Sequence, residues 1–376
     1  MFRDCKNTYL ACEFKILSES LTKKLCAISG KRYCLKTGNG TSAIYLALKA
    51  SGIAKGSYIA VPNIACPDPV YALIWAGYKP YFIDVNMDDY NIDVEHFSRI
   101  AAKKNIKGLI AIHLFGNPCA IEKLRLICDL NSVFMVEDCA QAFGNTYNDL
   151  KLGSFGDVSI FSFGKGKIIE VGHGGSVQTN DVELHARICE LSNDLPTYDD
   201  LVIDKLSKSH RDIYYKIFNI SIKYPIVDIL NLIFVYRFKK YYLYQLDDRY
   251  LGEIDEKVGH QEGCRTKRLN IVKNYQAQLQ GRGIDFPLLY GSLNVLSRFT
   301  VSISHSERIS EELRNAGIPS NTMYPPLAGR FYAFFNKKKL KNSYHLRGRL
   351  LNLWTNGIDE NQLTRTISII KKDLYE

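Results

Sequence analysis

VFMVEDCAQAFGNTY (133–147), KLGSFGDVSIFSFGKGK (151–167) and IIEVGHGGSVQT (168–179) form the stretch on which the reading of this chain turns. Val133–Val136 is a short apolar run bounded by polar residues, the pattern of a buried parallel strand, and Glu137 and Asp138 fall at its carboxyl end. Open α/β sheets place their ligand sites there. Val158–Phe163 is a second such run, ending in Ser162 and Phe163 and feeding the loop Gly164-Lys165-Gly166-Lys167. A carboxylate at one strand end and a loop lysine after another bracket a flat group between them.

That pairing suits pyridoxal 5'-phosphate (PLP). Its pyridine nitrogen accepts electron density only while protonated, which calls for a buried carboxylate beside it, and its aldehyde is held as a Schiff base by a lysine. Asp138 is the candidate for the first task and Lys167 for the second. Once displaced by an amino substrate, the same lysine is the base that moves a proton between carbon atoms.

Outward from this stretch, Thr37-Gly38-Asn39-Gly40-Thr41-Ser42 precedes AIYLALKASGI, whose apolar residues recur at helical spacing. A glycine-rich turn feeding a helix offers free N–H groups and a favourable dipole to a phosphate, which makes Asn39, Gly40, Thr41 and Ser42 candidates. A helix that is merely N-capped reads equally well. From Tyr58 the pattern alternates between strands (58–62, 81–85, 108–112) and helices (67–76, 94–103, 121–130). This predicts an α/β fold with a mostly parallel sheet flanked by helices. Asp84 and His113 fall at strand ends, where a structural hydrogen-bonding role outweighs a catalytic one.

At 376 residues the chain exceeds the size at which one core stops growing. We expect a large cofactor-binding domain over 1–194, an apolar helical segment over 195–254 and a small α+β domain over 255–376. In the last, helical stretches (265–279, 306–316, 360–374) alternate with short apolar runs (297–303, 350–354). With 46% apolar and 23% charged residues the composition is that of a soluble globular protein. The net charge of +10 suits anionic ligands, but the basic residues are scattered and no nucleic-acid motif accompanies them. Ten cysteines show no CxxC and no metal-ligand spacing with histidine, so we read reduced thiols in a cytoplasmic protein and no metal site. The start, MFRDCKNTYLACEF, lacks a signal-peptide core, and no run approaches a membrane span.

Taken together, several pieces resemble the DegT/StrS family of PLP-dependent aminotransferases, of the aspartate-aminotransferase-like fold. They are Gly40-Thr41-Ser42-Ala43, Pro62, Gly77–Asp84, His113–Gly116, Glu137–Gln141, Gly153–Asp157, Phe161-Ser162-Phe163 with Lys167, and Gly174-Gly175. The resemblance implies Lys167 as the Schiff-base lysine, with spacing set against Lys165. It implies Asp138 as the pyridinium partner, Gln141 near the cofactor's phenolic oxygen, and Ser162 with Thr41-Ser42 as phosphate ligands. It further implies an amino acid donor, usually glutamate, a keto sugar acceptor on a nucleotide carrier, and a homodimer with shared sites. The biosynthetic setting would be cell-surface polysaccharide or secondary metabolites. A PLP-dependent sugar dehydratase, which would carry histidine at position 167, and a non-catalytic regulatory protein are the alternatives.

Three departures from the family pattern stand out. Cys66 takes the place of an aromatic residue stacked on the cofactor ring; a thiol packs there less firmly, and a nucleophilic role is disfavoured because PLP chemistry needs none. No Asn-Tyr-Arg type motif occurs in 195–250. Instead IYYKIFNISIKYPIVDILNLIFVYRFKKYYLYQL (213–246) predicts two apolar helices broken at Pro225. We read a subunit interface there rather than a membrane surface, because Asp228 and Asn231 interrupt the apolar face. Met323 replaces a common histidine in the small-domain loop around Tyr324–Leu327. Arg265, Lys267 and Arg268 could meet a nucleotide diphosphate, but a solvated helix face is the simpler account.

Overall fold

The structure, a computed structural model, describes residues 2–197, 202, 235–237, 239–281, 283–328 and 340–375, with side chains from residue 15 onward. Helix α1 (Phe2–Ser29) leads into strand β1 (Tyr33–Thr37), and α2 (Gly40–Ala50) follows the glycine turn. Alternation then runs as expected: β2 (Tyr58–Pro62), α3 (Asp68–Trp75), β3 (Lys79–Ile83), α4 (Val94–Lys103), β4 (Ile106–Ile112), α5 (Ile121–Asn131) and β5 (Phe134–Asp138). A hairpin of β6 (Thr146–Tyr147) and β7 (Leu150–Lys151) precedes β8 (Val158–Ser162), β9 (Gly175–Thr179) and α6 (Val182–Asn193).

Seven strands form one sheet in the order β1-β9-β8-β5-β4-β2-β3. The pairs among β3, β2, β4, β5 and β8 are parallel; β9 runs antiparallel to both of its neighbours. The predicted mostly parallel sheet is therefore present. The basic, mixed opening segment ends in β1 on the sheet edge. Its polar-apolar mixture is what a strand with one free edge tolerates, and it hides the strand from a search for apolar runs.

Side-chain alternation along the inner strands sorts the core into two layers. Leu109, Ala111 and Met135 join a cluster with Leu21 and Leu25 of α1, Phe97 of α4 and Leu124 of α5. Ile110, Ile112, Val136, Val158 and Ile160 join the opposite cluster, with Ala43 and Ala47 of α2, Val70 of α3 and Ile188 of α6. Continuing the same parity, Asp138 and Ser162 belong to the α2–α3 face and Glu137 to the other.

After Asp247, α7 (Leu251–Gly259) packs Leu251, Ile254 and Val258 into the α1-side cluster. Then come α8 (Gln261–Leu279), β10 (Arg298–Ser302), α9 (Ser306–Asn315), β11 (Ser320–Asn321), α10 (Lys341–His345), β12 (Leu350–Trp354) and α11 (Glu360–Tyr375). Strands β10, β12 and β11 make a small antiparallel sheet with its own core of Tyr275, Phe299, Val301, Leu313, Leu351 and Ile370. Of the stretch 213–246, where two helices are expected, residues 213–234 and 238 lie outside the described residues. Among the described residues, no helix is long and apolar enough to cross a membrane.

Candidate active site

Four chain segments converge at the carboxyl ends of the parallel strands. The β2–α3 loop brings Cys66 and Asp68, β5 ends on Asp138, β8 ends on Ser162, and the loop after it carries Lys167; all line one cleft of about 310 Å³. Gly40, Thr41 and Gln141 line it as well. Of the eight residues expected at the site, seven therefore meet in a single cavity.

Ser42 is the exception. Its hydroxyl donates to the Tyr242 carbonyl at 3.2 Å and accepts from the Tyr244 N–H at 3.1 Å, behind the cleft wall. Asn39 caps α2, accepting from the Ser42 N–H at 2.7 Å, and its amide donates to Tyr242. The helix is N-capped, and as at any helix start the N–H groups of Gly40 and Thr41 have no acceptor within the helix. Glycine at position 40 allows a close approach, since a Cβ there would stand 3.0 Å from Cβ of Ser162, tighter than ordinary contact. That approach sets the Ser162 hydroxyl beside the helix N-terminus.

The lysine loop is a tight turn. Lys167 N–H donates to the Gly164 carbonyl at 3.3 Å, and Gly166 sits at φ +77, a conformation glycine adopts without strain. From the small sheet, Arg298 donates to the Gly166 carbonyl at 3.3 Å while stacking over Trp354, 3.8 Å from the ring centre. Arg268 is 2% exposed and directs Nη2 at the Lys167 carbonyl at 3.5 Å and Nη1 at Thr355. The solvated-face reading of α8 fails at Arg268, because helical periodicity turns this position onto the lysine loop.

Lys165 also lines the cleft, but the charge felt by Asp138, Asp68 and Cys66 is that of Lys167. Burial pushes the Asp138 carboxyl above its ordinary value, opposed by the Ala140 N–H, the Lys167 charge and His113. The Ala140 bond is 2.9 Å long and fixes the carboxyl's orientation. Burial, reinforced by Asp68, holds the Cys66 thiol far above the usual thiol range, so Cys66 is no thiolate nucleophile. Gln141 accepts from Phe115 N–H at 3.2 Å, which leaves its amide N–H groups for the cleft.

His113 and Asp84 are structural. His113 Nδ1 accepts from Cys119 N–H at 3.1 Å, so its proton sits on Nε2, which meets Glu137 at 3.2 Å. Glu137 in turn accepts from Gly153, Phe155 and Gly156 N–H groups. Asp84 accepts from Asn342 and Ser343 N–H groups. Sequence reasoning missed Asp68 and His173, both in the cleft wall. The signal for Asp68 was present, a Pro-Asp-Pro step at the carboxyl end of a strand.

This set of groups fits PLP. A buried carboxyl, a helix N-terminus with a hydroxyl beside it and a lysine, all lining one cleft, suit a ring nitrogen, a phosphate and an aldehyde.

The model of the DegT/DnrJ/EryC1/StrS aminotransferase family matches residues 17–200. GDP-perosamine synthase of Escherichia coli O157:H7 is 36% identical over 156 residues, 42% of this chain and 43% of that protein. The chain thus spans less than half the length of that relative. UDP-N-acetyl-3-dehydro-alpha-D-glucosamine 3-aminotransferase of Acidithiobacillus ferrooxidans is 25% identical over 364 residues, 95% of this chain and 88% of that protein. A solved DegT DnrJ EryC1 StrS aminotransferase from Brucella abortus superposes with a TM-score of 0.75 at 22% identity, covering 96% of this chain and 91% of that one. The sequence similarity to the DegT/DnrJ/EryC1/StrS aminotransferase family thus extends over residues 17–200, just under half of the chain.

Proposed function

We propose that this protein is a PLP-dependent aminotransferase that moves an amino group from an amino acid, glutamate by family analogy, to a nucleotide-linked keto sugar. The observation that supports it most is the opening of Asp138 and Lys167 into one cleft whose other wall is the N-terminus of α2. Names of relatives built on GDP- and UDP-linked sugars support the acceptor class. When bound, PLP supplies an electron sink that lets a proton leave carbon next to nitrogen.

The chain's own residues do the rest. Asp138, oriented by Ala140, is the acceptor for a protonated ring nitrogen; opposite charge there offsets the desolvation that otherwise keeps the carboxyl protonated. Gly40 and Thr41 N–H groups with the Ser162 hydroxyl hold the phosphate, and the Gln141 amide faces the phenolic oxygen. Cys66, held as a thiol, packs on the ring face. Lys167 Nζ is the group that takes the proton from one carbon and returns it to another. A cytoplasmic homodimer completing each site from a neighbouring subunit belongs to this reading, as does the division into units at 1–194, 195–254 and 255–376.

The test is spectroscopic. PLP added to the purified chain should give a visible band that glutamate converts to the pyridoxamine phosphate form. Lys167→Ala should form no such band and Lys165→Ala should keep it. A band that survives loss of Lys167, or ignores glutamate, removes the aminotransferase reading.

A further inference from the structure

The cleft holds a second carboxyl that has no part in the function above. Asp68 opens α3 at the carboxyl end of β2 and lines the same cavity as Lys167 and Asp138. Prolines on both sides, Pro67 and Pro69, fix the backbone around it. Among the described residues no cation lies within ion-pair distance of its carboxyl. The titratable groups facing it are Cys66 of its own loop, Lys167 of the lysine loop and Asp138 of β5. A PLP ring has one pyridine nitrogen, and Asp138 already serves it. The second carboxyl beside the lysine is left to face the substrate.

We propose that Asp68 is a further catalytic residue, whose carboxylate takes the proton an incoming amino donor must lose before its nitrogen can react. The inference rests on the aminotransferase reading. Amino acids arrive as ammonium ions with no lone pair on nitrogen; attack on any carbonyl carbon requires the free amine. One N–H bond breaks and one carboxyl O–H bond forms, with no change of oxidation state. The proton returns to nitrogen when the aminated product departs as an ammonium ion, which closes the balance over the two half-reactions.

The setting of Asp68 suits this task. Burial pushes its carboxyl above the ordinary aspartate value and Asp138 adds to that, while Lys167 and the Cys66 thiol oppose it. The result is a stronger base than a surface aspartate, closer to the pH at which proton exchange is efficient. Its place in the first turn of a helix keeps the ionised form accessible despite partial burial.

Two amines separate this role from a structural one. Glutamate is an ammonium ion at neutral pH; methoxyamine is already unprotonated there and needs no base. In rapid mixing with the PLP-loaded chain at neutral pH, Asp68→Asn should slow the spectral change with glutamate by about 10²-fold. The methoxyamine reaction should keep its rate. Raising the pH, which supplies free amine, should recover much of the glutamate rate, and Asp68→Glu should restore part of it at neutral pH. Equal slowing with both amines assigns Asp68 a structural role and overturns the proposal, as does an unchanged glutamate rate. If the unsubstituted chain forms no visible band, the aminotransferase reading falls and this inference with it; if the band forms and only the Asp68 variants disagree, the inference alone falls.

Discussion

Asp138 is pulled in two directions. Burial favours its neutral form, whereas the role proposed for it requires the charged one, and the balance shifts only when a cation is set against it. Asp138→Asn keeps the shape and the contact with Ala140 but offers no charge. We expect cofactor binding to weaken and turnover to fall by about 10²–10³-fold, the scale of losing one preorganised electrostatic contact. Cofactor titration and steady-state rates of the variant check this.

At the scale of elements, the site depends on a carboxylate that never touches it. Glu137 lies on the opposite parity of β5 from Asp138, wholly buried, and collects His113 Nε2 and three backbone N–H groups of the turn at 153–156. That turn leads into β8 and so positions Ser162. Burial pushes the Glu137 carboxyl up, but the His113 contact and the N–H groups of Gly153 and Gly156 together outweigh it, and the carboxyl sits below its ordinary value of 4.5. A depressed acid stabilises the fold at pH values above its unfolded pKa and loses that contribution as pH falls through the folded value. The native chain should therefore lose stability progressively below about pH 4.5, beginning at the unfolded value. Glu137→Gln should cost about 3–5 kcal/mol at neutral pH, the scale of breaking a buried charged contact, and should flatten this acid limb. Urea denaturation at several pH values measures both.

For the whole molecule, two arginines tie the small sheet's surroundings to the lysine loop. Arg268 and Arg298, from the elements around the small sheet, reach the Lys167 and Gly166 carbonyls, so the small unit sets the turn that carries the lysine. Tyr241, Tyr242 and Tyr244, at the end of the apolar stretch 213–246 that we read as a subunit interface, line the cleft. Light scattering should then give about twice 42.8 kDa for the protein in solution. A monomer that still forms the full visible band would remove the shared-site part of the proposal.

The order of strands and helices from Tyr58 to Ser162 was legible because each element is long and apolar enough for its period to show. Asp138, Ser162 and Lys167 were legible because they follow strand ends, where a parallel sheet opens. Sequence also carried the family pattern. It could not show that Ser42 faces away from the cleft, that Asp68 faces into it, or that Arg268 is buried against the lysine loop. The direction a side chain takes at a helix start or on a packed helix depends on what the rest of the chain brings against it. Tyr242 and Tyr244 arrive at Ser42 from 200 and 202 positions away, and Lys167 reaches Arg268 across 101. Local periodicity carries no information at that separation, so only the closed tertiary structure decides which polar groups are consumed in holding the site together and which remain for a substrate.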